Sequence, residues 1–130
     1  MANTRHTVVV RKDLNMTAGL LSAQVAHMSD AFMRERIITD ISSSSKTLFT
    51  DEEIEWMKEP YLSVLAVNCY EDLANIENEA MEKNLPMIPW HDLIPSPTIE
   101  GKFIKVFIGI SIGPADFDKI KEVTGNLKPY

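Results

Sequence analysis

Asp92 lies where the apolar stretch 85–90 gives way to a proline-rich loop. A carboxylate in such a place could act as a general base or orient a water molecule for attack. It could equally be a turn residue whose side chain bonds its own backbone. Ser96 and Thr98 follow in the same loop. Their hydroxyls could donate hydrogen bonds to a scissile carbonyl or a ribose, or could serve the loop alone.

His27 and Gln24 are nearly one helical turn apart, on the same side of a predicted helix as Leu20. A neutral imidazole could accept a proton, and the amide could orient a substrate carbonyl. The alternative is a structural histidine bonded to a nearby carbonyl. Arg11 ends the first predicted strand and Asp13 follows it in the loop, at the sheet edge where open α/β folds bind ligands. They could instead form a salt bridge or cap the loop.

Other kinds of catalytic centre find little support in the sequence. Cys69 is the single cysteine, so no intrachain disulfide is possible, and the three histidines are scattered, which argues against a zinc site. No serine stands in a Gly-x-Ser-x-Gly elbow. We therefore expect no zinc site and no covalent serine mechanism. One cysteine, no secretory signal and apolar runs too short for a membrane span favour the cytoplasm.

The net charge of −6 is unevenly distributed along the 130 residues. Residues 51–82 hold ten acidic side chains against one lysine, a net charge of −9. The remainder holds twelve bases against nine acids, a net charge of +3. An acidic chain is not typical of nucleic-acid binding, but the basic remainder leaves room for an anionic partner. The acidic block itself is typical of two solvated helix faces.

Hydrophobic patterning predicts the order β-α-α-β-α-β-β-α within one domain, residues 1–130. The first half of the chain is predicted to hold a strand 6–11, a helix from Thr17 to about Arg36, a polar loop 42–46 and a helix opened by the Thr50–Glu53 capping box. A strand 61–67 and a helix opened by a second capping box at 68–71 follow. The last part is predicted to hold an edge or short strand 85–90, a loop 91–102, a strand 103–112 and a helix begun by Gly113-Pro114. This order predicts a three-layer α/β/α domain with a mixed sheet of about four strands.

Finer patterns predict the faces of these elements. In the strand 103–112, alternation puts Ile104, Val106, Ile108, Ile110 and Ile112 on one face. The third helix is expected to bury Leu73, Ile76, Ala80 and Met81. The valine run 8–10 predicts that the first strand lies inside the sheet, and the last two strands should pair as a hairpin.

Two segments resemble one family. The segment 11–27, RKDLNMTAGLLSAQVAH, is similar to the first strand-to-helix segment of type II peptidyl-tRNA hydrolases, and 113–130, which contains VTGNLKPY, is similar to that family's ending. The element order agrees as well. The resemblance covers nearly the whole chain and is weakest at about residues 36–58.

The resemblance implies hydrolysis by water of the ester between a peptide and tRNA, without metal or cofactor. Of three family site positions, a lysine falls on Leu20 and an aspartate falls on Asp92, which is followed by Leu-Ile instead of Ala-Gly. A threonine falls on Ser96 or Thr98. A second family lysine falls on Ala18.

From the resemblance and the residues together we expect Asp92, His27, Ser96 and Thr98 to be catalytic, and Asp13, Gln24 and Arg11 to bind substrate. Asp92, Gln24, His27 and Asp13 should line one cleft. The partners expected are peptidyl-tRNA and a second copy of the chain in a homodimer. The alternative is a weakened or inactive relative that acts as a binding or dimer module. A compensating base, Lys12, Arg11 or Lys102, would favour the enzyme.

Overall fold

A computed structural model describes residues 3–41 and 49–130. Its elements are β1 (Thr4–Arg11), a 3-10 turn (Lys12–Leu14), α1 (Ala18–Ile41), α2 (Asp51–Lys58), β2 (Leu62–Val67), α3 (Tyr70–Glu82), β3 (Met87–Pro95), β4 (Phe103–Asp116), α4 (Phe117–Thr124) and β5 (Lys128–Pro129). The predicted elements are present in the predicted order. The polar loop predicted at 42–46 lies outside the described residues.

The sheet has five strands in the order β3-β4-β1-β2-β5. β1 pairs with β2 in parallel, and the other neighbouring pairs are antiparallel. Its valines 8–10 are fully buried at the centre of the sheet, which confirms the interior strand. The hairpin of β3 and β4 is confirmed too. The fifth strand, β5, was not predicted, because two residues carry no readable alternation.

Helices cover both faces of this sheet, which gives the predicted three layers. Alternation along β1 sends Val8 and Val10 to a core cluster with Met28 of α1, whereas Val9 joins Leu73 of α3 and Ile120 of α4 on the other side. α2 lies on the α1 side, where Trp56 packs edge-on against Phe32. No helix in the described ranges is both long and apolar enough to cross a membrane.

The predicted faces of β4 are wrong in part. Ile108 packs on the α1 side, whereas Ile110 and Ile112 join the cluster on the α3 and α4 side. The cause is a bulge: Trp90 pairs with Gly109 but His91 pairs with Phe107, so Ile108 is an extra residue. An extra residue shifts the alternation that follows it.

Three predictions at helix ends are also wrong. Met81 is 61% exposed, because it lies beside the stripe of α3 that packs on the sheet. α3 begins at Tyr70 with Cys69 as N-cap and no side-chain cap bond, so the predicted second capping box is absent. Pro114 does not open a helix, since β4 continues to Asp116 and pairs there with Thr4.

Two helix starts agree with the sequence. Thr17 precedes α1, and its hydroxyl accepts a hydrogen bond from the backbone N–H of Leu20. Thr50 and Glu53 form the complete predicted capping box of α2. α1 is longer than predicted, because it continues past Arg36 to Ile41.

Candidate functional site

Asp92 lies within β3, opposite Val106 of β4, and not in the loop predicted at 91–102. The long strand β4 provides partners as far as Pro95, so the ladder continues beyond the apolar stretch. Alternation then points the half-buried Asp92 toward the α1 side with Ile94. His91 lies on the opposite face, stacked on Phe107 with ring centroids 4.7 Å apart.

Hydrogen bonds hold both oxygens of the Asp92 carboxylate. The Nε2 of Gln24, on α1, donates to Oδ2 over 3.1 Å. The backbone N–H of Leu93 donates to Oδ1 over 2.7 Å. Gln24 is only 3% exposed, so its amide is fixed in the protein interior. The structure thus brings together two residues that are 68 positions apart and that the sequence predicted to share a cleft.

Trp90 extends this hydrogen-bonded group toward His27. Its indole Nε1 donates to Oε1 of Gln24 over 2.6 Å. Its ring stacks on the exposed ring of His27, with centroids 5.4 Å apart and an interplanar angle of 27°. The ring nitrogens of His27 make no hydrogen bond to the described part of the chain. The structure therefore does not show the alternative role predicted for His27, that of a structural histidine bonded to a nearby carbonyl. We call Asp92, Gln24, Trp90 and His27 the Asp92 cluster.

Arg34 lies against the same group, and sequence reasoning missed it. Its guanidinium is 5.6 Å from the Trp90 ring centroid, and it donates to the His27 carbonyl over 3.0 Å. It also pairs with Asp30 one turn earlier on α1. A signal existed, because Gln24, His27 and Arg34 differ by three and seven residues and so lie on one side of a helix.

Arg11 and Asp13 form a separate pair. The guanidinium donates to both carboxylate oxygens, over 3.0 and 2.8 Å, and to the carbonyl of Phe107 over 3.2 Å. The hydrogen bonds that Arg11 donates to Asp13 are the main cause that raises the pKa of Arg11. No hydrogen bond joins this pair to Asp92 within residues 3–41 and 49–130. The contacts correspond to the salt-bridge alternative, and the structure does not bring Asp13 to the Asp92 cluster.

Ser96 and Thr98 face each other in the turn after β3. The Ser96 hydroxyl oxygen accepts from the backbone N–H groups of Thr98 and Ile99, over 3.2 and 3.0 Å, and lies 3.3 Å from the Thr98 hydroxyl. Neither hydroxyl is hydrogen-bonded to Asp92 among the described residues. Their hydrogen bonds are those of an ordinary serine turn.

Leu20 is half-buried and packs against the apolar cluster that contains Val8 and Val10. No hydrogen bond or ion pair in the described ranges joins any of the three suggested compensating bases to the Asp92 cluster. Arg11 is bonded to Asp13, and Lys12 lies 5.9 Å from the ring centroid of Tyr130. Lys102 is exposed in the turn before β4. The cation that the structure places at the Asp92 cluster is therefore Arg34.

No group of three His, Cys, Asp or Glu side chains in the described ranges is arranged to hold a metal ion. The Asp92 cluster, with Arg34 beside it, supplies three groups that can take part in chemistry. They are a half-buried carboxylate with both oxygens already accepting hydrogen bonds, an exposed imidazole and a nearby guanidinium. Since each carboxylate oxygen has a second lone pair, Asp92 can still accept a proton or a hydrogen bond from water.

Comparison with known proteins shows which family the chain matches. The family model described as "Peptidyl-tRNA hydrolase PTH2" matches residues 4–130. The chain is 34% identical over 125 residues to a protein of Nanoarchaeum equitans named peptidyl-tRNA hydrolase, covering 95% of this chain and 96% of that one. It is 30% identical over 126 residues to a protein of Sulfurisphaera tokodaii with the same name, covering 96% and 97%.

Proposed function

Since the chain belongs to the PTH2 family of peptidyl-tRNA hydrolases, we propose that it cleaves the ester bond between a peptide and tRNA with an activated water molecule. The observation that carries the proposal is the Asp92 carboxylate, held by Gln24 and by the Leu93 backbone N–H. A carboxylate fixed in this way can accept a proton from water without moving. The reaction class is carboxylic-ester hydrolysis.

In the proposed reaction, Asp92 accepts a proton as the water oxygen bonds to the ester carbonyl carbon. The tetrahedral intermediate then breaks its bond to the ribose oxygen of tRNA, which takes up a proton as it leaves. The products are a peptide with a free carboxylate and a tRNA with a free hydroxyl. His27, exposed beside Trp90, is proposed to relay the proton that the leaving ribose oxygen takes up, because an imidazole nitrogen can accept and donate a proton.

The other predicted site residues have weaker support. Gln24 orients Asp92 and does not need to touch the substrate. Ser96 uses its hydroxyl within its own turn, so Thr98, which is exposed, is the better candidate to reach a ribose or a carbonyl. Arg11 and Asp13 bond each other, and substrate binding there would require the pair to open.

The family lysine that the resemblance places at Leu20 is part of this proposal. Leucine cannot polarise a carbonyl or contact a phosphate, and the absence of one positioned charge typically costs on the order of 10²–10³ in rate. We therefore propose slow turnover. The apolar packing of Leu20 also favours a second candidate function, an inactive relative that binds peptidyl-tRNA or another partner without cleaving it.

The first prediction tests the proposed function with purified protein and a peptidyl-tRNA. We expect slow release of the peptide, a further loss of at least about 100-fold in Asp92→Asn and a gain in Leu20→Lys. The control Asp118→Asn changes an exposed aspartate on α4 and should leave the rate unchanged. Fast cleavage that survives Asp92→Asn would refute the site. No cleavage by the unmodified protein or by Leu20→Lys would favour the binding function.

The proposal includes action on tRNA in the cytoplasm, as one domain over residues 1–130 that forms a homodimer. Light scattering after size-exclusion chromatography measures the oligomeric state directly. A mass near 29 kDa, twice the 14.7 kDa of the chain, is expected for the dimer. A mass near 14.7 kDa would show a monomer.

A further inference from the structure

We infer that Trp90 is a positioning residue, whose indole N–H fixes the direction of the Gln24 amide and thereby holds the Asp92 carboxylate in place as a proton acceptor. The inference goes beyond the family resemblance, which assigns nothing to this position, and it rests on the proposed function for its effect on catalysis. Three steps lead from the indole to the carboxylate.

The first step is the direction of the amide. The Gln24 side chain could in principle present either its oxygen or its nitrogen to Trp90. An indole N–H only donates hydrogen bonds, so the amide atom 2.6 Å away must be the oxygen. Trp90 is half-buried and held between the apolar cluster and the His27 ring. The donor therefore has a fixed position.

The second step is the hydrogen bonding of the Asp92 carboxylate. With its oxygen bound to Trp90, the Gln24 amide turns its nitrogen toward Oδ2, and that NH₂ group can only donate. The Leu93 backbone N–H donates to Oδ1. Because both carboxylate oxygens face donors, the two hydrogen bonds fix the orientation of the Asp92 carboxylate. The arrangement suits a proton acceptor.

The third step is burial. Gln24 is 3% exposed, so water does not readily replace the indole if the indole is lost. The amide oxygen would then be unsatisfied, or the amide would turn over and direct its oxygen at the Asp92 carboxylate. Either change is unfavourable, and the second repels Asp92 from its position. Removing the indole N–H should thus disturb Asp92 through Gln24.

The kinetic test uses Trp90→Phe, which keeps an aromatic ring and removes the donor. We expect kcat to fall about tenfold, the change that corresponds to one hydrogen bond of roughly 1.4 kcal/mol, with little change in KM. Gln24→Leu should lower kcat at least as much, and the double variant no further than Gln24→Leu. A merely structural tryptophan would give losses that multiply, and that result would overturn the inference.

The chain offers a matched control, because Trp56 is its other tryptophan. The Trp56 indole donates to the Tyr61 carbonyl over 2.7 Å, and the side chain is buried on the same side of the sheet. Trp56→Phe should lower stability and leave the kcat of the folded protein unchanged. If it lowers kcat as much as Trp90→Phe does, the effect is general loosening of the core and the inference fails.

A second measurement does not depend on activity. Nitrogen-15 NMR spectra of the folded chain should show two indole signals, and the Trp90 signal should shift in Gln24→Leu while the Trp56 signal stays. The Leu93 amide, which reports on Asp92, should shift in Trp90→Phe but not in Trp56→Phe. If neither shift occurs, the inference is wrong. If both occur in a protein that does not cleave peptidyl-tRNA, the proposed function fails and the positioning of Asp92 stands.

Discussion

His6 is a titratable side chain in the core, away from Asp92. It is fully buried, and its Nε2 lies 2.6 Å from the Ser111 hydroxyl. Its Nδ1 has no hydrogen-bond partner among the described residues. The rings of Phe32 and Trp56 pack edge-on against it, at centroid distances of 5.5 and 4.9 Å. Burial disfavours the charged imidazolium and lowers the pKa of His6 to about 4, from an ordinary value of 6.5.

This lowered pKa predicts acid sensitivity. The unfolded chain protonates His6 near pH 6.5, whereas the folded protein keeps it neutral down to about pH 4. The stabilising contribution is therefore complete above pH 6.5 and is lost as the pH falls toward 4. It amounts to roughly 3 kcal/mol at most. Denaturant titrations between pH 4 and 7 should show a flatter pH dependence in His6→Phe than in the unmodified protein.

His91→Asn provides the control for this measurement, because His91 is exposed. Its curve between pH 4 and 7 should run parallel to that of the unmodified protein. An unchanged pH dependence in His6→Phe would contradict the prediction.

At the scale of elements, α1 approaches β4 closely at Gly109. A Cβ atom built there would lie 2.5 Å from the Val9 carbonyl oxygen and 2.8 Å from the Met28 Sδ. The backbone of β1 cannot give way without breaking its pairing. We therefore expect Gly109→Ala to lower the free energy of unfolding by about 1–3 kcal/mol, as overpacking does. Urea denaturation would measure the loss.

Gly19, in the first turn of α1, is the matched control for this substitution. A Cβ at Gly19 meets nothing within 4 Å. Gly19→Ala should be neutral or stabilise by up to about 1 kcal/mol, because alanine favours the helix. Equal effects of the two substitutions would show that the contact at Gly109 is not tight.

Local sequence patterns predicted most helices and strands. The features that the sequence did not predict depend on contacts between segments that are far apart in the chain. The valine run 8–10 and the Thr50–Glu53 box act within a few residues, so the sequence displays them directly. The bulge at Ile108 depends on how β3 meets β4, which no local period records. The helical spacing of Gln24 and His27 predicted that they share one face of α1. It did not predict that the Trp90 indole donates a hydrogen bond to Gln24.

At the scale of the whole molecule, the distribution of charge determines which surface a bound tRNA can contact. The acidic residues of 51–82 belong mainly to α2 and α3, on opposite faces of the sheet. Arg34 is the cation beside Trp90, on the face of the sheet to which Asp92 points. Lys105 is exposed on β4 opposite Leu93, and strand alternation points it to the other face. Because the proposed hydrolysis takes place on the Asp92 face, we expect a tRNA phosphate to contact Arg34.

This placement predicts a salt-dependent role for Arg34. Arg34→Ala should raise KM for peptidyl-tRNA and reduce the slope of log affinity against log salt by about 0.7–0.9, the share of one phosphate contact. Lys119→Ala, which removes an exposed lysine from α4, is the control and should change neither. Identical slopes for the two variants would place the tRNA elsewhere on the surface.

Both borders of the sheet are poor templates for another strand. β3 forms one border and carries Pro89 and Pro95, which have no N–H to offer, and β5, at the other border, is two residues long and contains Pro129. Proteins use such features to prevent strand-by-strand growth into aggregates. We therefore expect concentrated solutions to resist fibril formation. A second copy of the chain is therefore expected to dock through helices or loops, since both borders disfavour extension of the sheet from one molecule into the next.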